Sequence, residues 1–465
     1  MTFRSILTLL IAFISQFLFA ESYPVLSINI DGNKRTKDFV IQREMLVHID
    51  SFYQDDEEGN FQKLLNQSKS RILNLNLFNK VTITSSKAKI SNKIGFAVRV
   101  TVVEKWYEWP IPFIEFSDRN FNVWKDLSFD ANRTNYGLYL FNYNLFGRNH
   151  TLKTSFVTGY NKTYGIEYRV PFISQNSNWG VSTDFKHTSQ EEMWLKTEND
   201  KLQFLRKGNN NLIKKTSGGL AFSNRFNPFN TITISGSYQN TKLDTIIMKE
   251  ASNYLLNSQV KLDVIGLGVA ISHDKRNNIY LPTEGALLQP MIAYHNFVGN
   301  SSYSNIKGSI RAQLFNKIAP KLYTAFSVFG EFNTAKDLPY EYTRRLGYDN
   351  IVRGFENYVI DGQHAALGNA AIRYHLVNKP HINLNFIPIK SYNFLPLNIY
   401  LEYFVDAGYV SAPKTIATND LPNSALFSTG ISLQSLFYND RLLRLEYSLN
   451  SLKESGFFVH FKKAI

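Results

Sequence analysis

From about residue 106 to the C-terminus the chain keeps a two-residue hydrophobic period, with no sustained helical one. Successive side chains of a strand point to opposite faces, so this period makes each segment two-sided. Tyr164, Ile166, Tyr168, Val170 and Phe172 alternate with Gly165, Glu167 and Arg169. Ile399, Leu401, Tyr403, Val405, Ala407 and Tyr409 lie opposite Glu402, Asp406 and Gly408. Leu443, Leu445, Tyr447 and Leu449 lie opposite Arg444, Glu446 and Ser448. A soluble sandwich shows the same alternation, with its apolar side toward a core. Three features favour a barrel in lipid instead. Many segments run about ten residues, the length a tilted spanning strand needs. Aromatics crowd segment ends, as in Tyr136, Tyr139, Phe141, Tyr143 and Phe146. A soluble region of this length would also usually divide into domains. In lipid only a closed barrel satisfies the backbone of every strand. About 16 segments can be counted, an even number as bacterial barrels have. The first runs near 110–117 and the last near 456–462. The expected fold is therefore mainly β, a 16-stranded antiparallel transmembrane barrel over 106–465.

A chain of 465 residues has room for a second, smaller domain before it. The extreme N-terminus reads as a secretory signal over 1–20: Arg4 supplies the positive start, Ile6 to Phe19 a short, interrupted apolar run, and Ala20 its end. Leu18 is large for the minus-three position, and a retained anchor is the alternative. The 51 Lys+Arg against 38 Asp+Glu give a net charge of +13. That excess fits a solvated basic surface or attraction to anionic lipid headgroups. Its scattering along the chain argues against nucleic acid. With no cysteine there is no disulfide, thiolate metal site or cysteine-linked lipid anchor.

Residues 21–105 read as a small mixed module. A strand through Val25, Leu26, Ile28 and Ile30 closes at Asp31-Gly32-Asn33. Thr36 can cap a helix over 37–47, and a second helix fits 61–75. Between them Asp55-Asp56-Glu57-Glu58 reads as a solvated loop. Strands follow near 78–83 and 95–103. This order resembles a polypeptide-transport-associated (POTRA) domain, as do Gly32-Asn33, Arg43-Glu44-Met45 and Leu77-Phe78.

Two connections are too long for turns, about 191–213 and about 334–366. The first is expected to extend strands beyond the membrane. The second carries Val352-Arg353-Gly354-Phe355, and the strand after it carries Phe404-Val405-Asp406-Ala407-Gly408. Asp406 shares the polar face and so should point into the lumen. Arg353, always charged and planar, suits such a carboxylate. Gly354 allows a sharp turn, and Gly408 makes room beside Asp406. Phe355 is expected against the lumen wall with Phe404 as neighbour.

These motifs resemble the BamA/TamA-type superfamily of outer-membrane assembly and translocation barrels (the bacterial surface antigen family), in single-POTRA members of Bacteroidetes type. His273-Asp274-Lys275-Arg276-Asn277-Asn278 with Tyr280-Leu281-Pro282-Thr283-Glu284-Gly285 is similar to the family turn before the ninth strand. Within it Asp274, Arg276, Asn278, Pro282 and Gly285 are the motif residues. Val352-Arg353-Gly354-Phe355 is similar to the loop motif that folds back into the barrel, and Asp406 to the aspartate that receives its arginine. Glu104 to Tyr107 and Asp118 to Asn122 resemble the domain-to-barrel junction.

The resemblance implies a Gram-negative outer-membrane protein with its POTRA-like domain in the periplasm. Its partners would be outer-membrane lipids, unfolded or nascent outer-membrane or secreted polypeptides, and periplasmic or lipoprotein accessory factors. It would assist insertion of other barrels by pairing a client strand at a gate between the first and last strands. The alternatives are a polypeptide-secretion pore plugged by the Arg353 loop, and a passive or structural barrel. Three departures stand out. The terminal strand signal would be Phe457, Val459 and Phe461, yet four residues follow Phe461. The acidic residue expected on the strand after the loop is replaced by Arg373, leaving Glu402 as the second lumen carboxylate. There is room for one POTRA domain where the general assembly factors have several. No enzyme is expected: no Gly-x-Ser-x-Gly elbow occurs, and no histidine cluster has metal-ligand spacing. No cofactor or metal is implied.

Overall fold

The computed structural model describes residues 22–54, 59–90, 92–116, 134–206, 211–255, 257–299, 303–388, 392–413 and 418–463. The expected signal at 1–20, the acidic run 55–58 and the junction residues 118–122 lie outside them. Two units separate by their contacts, Met1–Glu104 and Lys105–Ile465.

In the first unit β1 (Ser22–Asp31), α1 (Asp38–Gln42), β2 (Phe52–Gln54), α2 (Asn60–Asn74), β3 (Phe78–Ile90) and β4 (Lys93–Glu104) follow one another. The sheet order is β2-β1-β4-β3, with β1 parallel to β4. Its core gathers Val25, Ile41, Met45, Leu65, Ile72, Phe78 and Val100. Arg71 of α2 meets Glu44 in a buried ion pair at 2.6 Å. The first helix is much shorter than the expected 37–47. Thr36 does not cap it; its hydroxyl donates to Glu104 Oε1 at 2.7 Å instead. Met45 and Val47 are buried all the same, so the core uses these apolar positions without helical backbone.

The second unit contains β5 (Glu108–Phe116), β6 (Thr134–Leu145), β7 (His150–Gly159), β8 (Asn161–Val170), β9 (Trp179–Gln190), β10 (Glu192–Glu198), β11 (Lys201–Arg206), β12 (Ile213–Asn227) and β13 (Asn230–Leu243). After α3 (Thr245–Glu250) come β14 (Lys261–Asp274), β15 (Gly285–Val298), β16 (Tyr303–Ala319), β17 (Leu322–Asn333), β18 (Arg344–Leu346), β19 (Ile360–Asp361), β20 (His364–Asn383), β21 (Phe394–Ser411), β22 (Ala425–Phe437), β23 (Arg441–Asn450) and β24 (Ser455–Lys463). All but two short pairs, β10-β11 and β18-β19, join one 16-stranded sheet running from β5 to β24. Each neighbour pair is antiparallel.

Burial along β21 is the reverse of a soluble protein's. Glu402, Phe404 and Asp406 are 0% exposed, while Leu401, Tyr403 and Val405 are 44, 53 and 44% exposed. Carboxylates inside and large apolar groups outside are stable only where the outer solvent is lipid. No helix among the described residues is long and apolar enough to cross a membrane; the strands cross. The chain forms a 16-stranded antiparallel transmembrane β-barrel.

The segment 191–213 differs from expectation. β9 and β12 end at Gln190 and Ile213, and β10-β11 form a separate hairpin beyond them. With α3 and the start of the 334–363 connection, this hairpin builds an apolar cluster of Met193, Leu212, Ile247, Tyr254, Phe297 and Leu338. Asp200 at its tip accepts from the Asp420 and Leu421 amides, and its carbonyl accepts from the Val359 amide. The hairpin thereby closes over the loop end of the barrel.

Candidate functional site

The loop between β17 and β20 turns back into the lumen. Its tip is compact: Phe355 N donates to Val352 O, and Tyr358 N to Phe355 O. Gly354 adopts φ +88, a left-handed geometry that favours glycine. That turn presents Arg353 to β21. Nε and Nη2 donate to the two oxygens of Asp406 at 2.8 and 2.6 Å, and Nη1 donates to Glu402 Oε1 at 2.8 Å. The guanidinium carbon lies 3.6 Å from the Phe404 ring centroid, close enough for a cation–π contact. One arginine thus meets three residues at alternating positions of a single strand face.

Gly408 completes this face. A Cβ there would lie 2.5 Å from Val352 Cγ2 and 3.1 Å from Leu346 Cδ1. Phe355 sits apart from Phe404, contrary to expectation. It packs with Val352, Leu346, Ile360, Val410 and Leu426, whereas Phe404 packs with Phe315, Ala325 and Ala371. The cause is the tip turn, which sends Phe355 toward the loop end while Arg353 covers Phe404.

The turn motif occupies the opposite end, between β14 and β15, the eighth and ninth strands of the barrel sheet. Arg276 forms a fork with Asp274 at 2.9 and 2.7 Å. Asn278 Oδ1 accepts the Tyr280 and Leu281 amides, and its Nδ2 donates to Asn439 O across the barrel mouth. Leu281 is buried with Tyr400, Leu436 and Leu442. Gly285 has φ +102, and a Cβ there would meet Lys275 O at 2.1 Å. The Pro282 carbonyl accepts from Arg373 Nη1 at 2.8 Å, and Arg373 Nε donates to Glu402 Oε2. Turn and loop therefore meet through one shared carboxylate, a link the sequence reading did not draw.

Phe457, Val459 and Phe461 lie on the outer face of β24, each more than half exposed. On its inner face His460 approaches Glu446 of β23 and Glu356 of the loop. Those three residues are scattered in sequence, and only the fold collects them. Among the described residues no hydrogen-bonded ladder joins β24 to β5.

The Tyr143 amide donates to Tyr107 O, which fixes the phase of the β5-β6 ladder. Bonded pairs alternate in an antiparallel ladder, so Trp109, Ile111 and Phe113 bond to β6. Pro110, Pro112 and Ile114 turn their amide positions to the seam edge. Prolines remove two donors from it. On β24 the Asn450 amide donates to Glu454 O, and the same phase turns the amides of Val459 and Phe461 to the seam edge.

A transmembrane barrel that follows a POTRA-type domain is the architecture of an outer-membrane family whose members assemble or secrete polypeptides. The chain belongs to it: residues 144–437 match the Omp85 superfamily domain, and residues 23–105 match the POTRA surface antigen variable number repeat. A stretch of 74 residues is 40% identical to the outer membrane protein assembly factor BamA of Neorickettsia risticii, covering 16% of this chain and 9% of that protein. BamA from Haemophilus ducreyi lacking POTRA domains 1–3 shares the fold at TM-score 0.52 and 13% identity, over 95% of this chain and 85% of that one. CdiB from Escherichia coli does so at TM-score 0.52 and 11% identity, over 97% and 92%.

Proposed function

We propose that this protein resides in the outer membrane, with its POTRA domain in the periplasm, and assists the insertion of other barrel polypeptides. The observation that carries this reading is the seam. Among the described residues every other neighbouring pair of barrel strands is joined by a ladder, none joins β5 to β24, and β5 lacks two donors at Pro110 and Pro112. An exposed strand edge offers a ready template for strand addition. A relative named as an assembly factor, matched over 74 residues, supports the same reading. A through-pore is less well supported, because 344–361 occupy the lumen from one end and 275–284 cross its mouth at the other.

The test is depletion of the protein, with the outer-membrane proteome measured, combined with a photo-crosslinker at Val459 on β24 or Ile114 on β5. Both side chains are exposed, at 58 and 78%. The expected result is loss of particular barrel proteins and crosslinks to their unfolded forms. Unchanged barrel proteins, or loss of secreted polypeptides alone, would refute the assembly reading.

A further inference from the structure

Behind the loop tip, Glu356 of the loop, Glu446 of β23 and His460 of β24 bring one ligand atom each to within 4.8 Å of one another. His460 Nε2 lies 3.2 Å from Glu446 Oε2 and 3.8 Å from Glu356 Oε1. Two atoms bound to one tetrahedral zinc ion at about 2.0 Å stand about 3.3 Å apart. Both carboxylates are buried, at 2% and 1% exposure.

Glu446 aims one oxygen into this cluster. Its Oε1 lies 2.7 Å from Arg444 Nε, while Oε2 is aimed at His460 and accepts no hydrogen bond; the 3.2 Å approach lacks hydrogen-bond geometry. A buried polar atom left without a hydrogen bond is costly. Glu356 is already aimed by the loop, since its Oε2 accepts the Gly354 amide at 2.7 Å.

We infer that Glu356, Glu446 and His460 form a binding site for a divalent transition-metal ion of the zinc class, with water completing the coordination. Imidazole with carboxylate suits such an ion better than calcium or magnesium. Because the ligands come from the loop and from the last two strands, the bound ion ties the loop to the strand that borders the seam. The assignment does not depend on what pairs with that strand.

The test uses the untagged full chain, folded in detergent, stripped with a chelator and titrated with Co²⁺ and Zn²⁺. One equivalent of Co²⁺ should bind with the visible absorption of a tetrahedral site, and Zn²⁺ should displace it. Separately, one equivalent of Zn²⁺ should protect His460 of the wild-type protein from carbethoxylation, read by mass spectrometry. His460→Ala and Glu356→Gln should each weaken Zn²⁺ binding at least tenfold. No uptake by the wild type, equal uptake by all three proteins, or unprotected His460 at saturating Zn²⁺ would overturn the site. The protection measurement decides the matter even where a variant fails to fold.

Discussion

Arg373 takes the Glu402 oxygen that Arg353 leaves free, so a single fully buried carboxylate serves both guanidiniums. One arginine belongs to the loop that enters from one end of the barrel. The other, on β20, holds the Pro282 carbonyl of the turn that crosses the opposite mouth. A continuous polar path therefore runs through the lumen from Pro282 to Asp406. Residues in one such network do not act additively. In a double-mutant cycle of Arg353→Ala with Arg373→Ala, loop docking followed by hydrogen exchange over 344–361 should show a coupling of about 0.5–3 kcal/mol. Additive effects would mean that turn and loop dock independently.

Arg353→Ala leaves Asp406 and Glu402 buried without their loop partner, a cost on the order of 3–5 kcal/mol if the lumen stays dry. The loop can instead undock and admit water, because it closes none of the strand ladders. The expected outcome is a barrel that still migrates as folded without heating, with a loop newly open to protease. Arg353→Lys should recover little, since an ammonium cannot span both carboxylates and cover Phe404.

The close approach at Gly408 gives a steric test. Gly408→Val would drive a side chain into Val352 and Leu346, an overpacking that costs about 1–3 kcal/mol. Gly368, on the neighbouring strand, has no atom within 4 Å of an added Cβ. Gly368→Ala should therefore leave loop docking unchanged, while Gly408→Val exposes the loop to exchange and protease.

Pro110→Leu with Pro112→Leu restores two donors at the seam edge of β5. Each backbone hydrogen bond gained across the seam contributes about 0.5–1.5 kcal/mol. Thermal unfolding in detergent should move upward, and complementation of a depleted strain should fall. A stabilised barrel with full activity would separate the seam from the function proposed for it.

The barrel was legible because its signal repeats: alternation over strand after strand fixes which face meets lipid, and Glu402, Phe404, Asp406 and Gly408 share the inner face as their spacing implies. Arg353 was legible for a chemical reason, as a fixed cation delivered opposite a lumen carboxylate. Phe355 was not, since its neighbours depend on the hydrogen-bonded turn at the loop tip rather than on periodicity. The β10-β11 hairpin alternates much as a spanning strand does, and nothing in its pattern separates a strand in lipid from one beyond it. The expected helix over 37–47 failed because Thr36 found Glu104, nearly seventy positions away. Arg373 read only as a departure from a family pattern, because its partners Pro282 and Glu402 come from a distant turn and a neighbouring strand.

The capture of the loop inside the barrel is tested most directly by a disulfide. The native chain has no cysteine, and the side chain of Val352 already touches the space above Gly408. In the double variant Val352→Cys, Gly408→Cys, mild oxidation of membranes should yield a single intramolecular crosslink in the folded protein, seen as a reducible mobility shift after heating. A barrel that folds normally, carries both thiols in reactive form and never forms that bond would place the Arg353 loop elsewhere and contradict the lock.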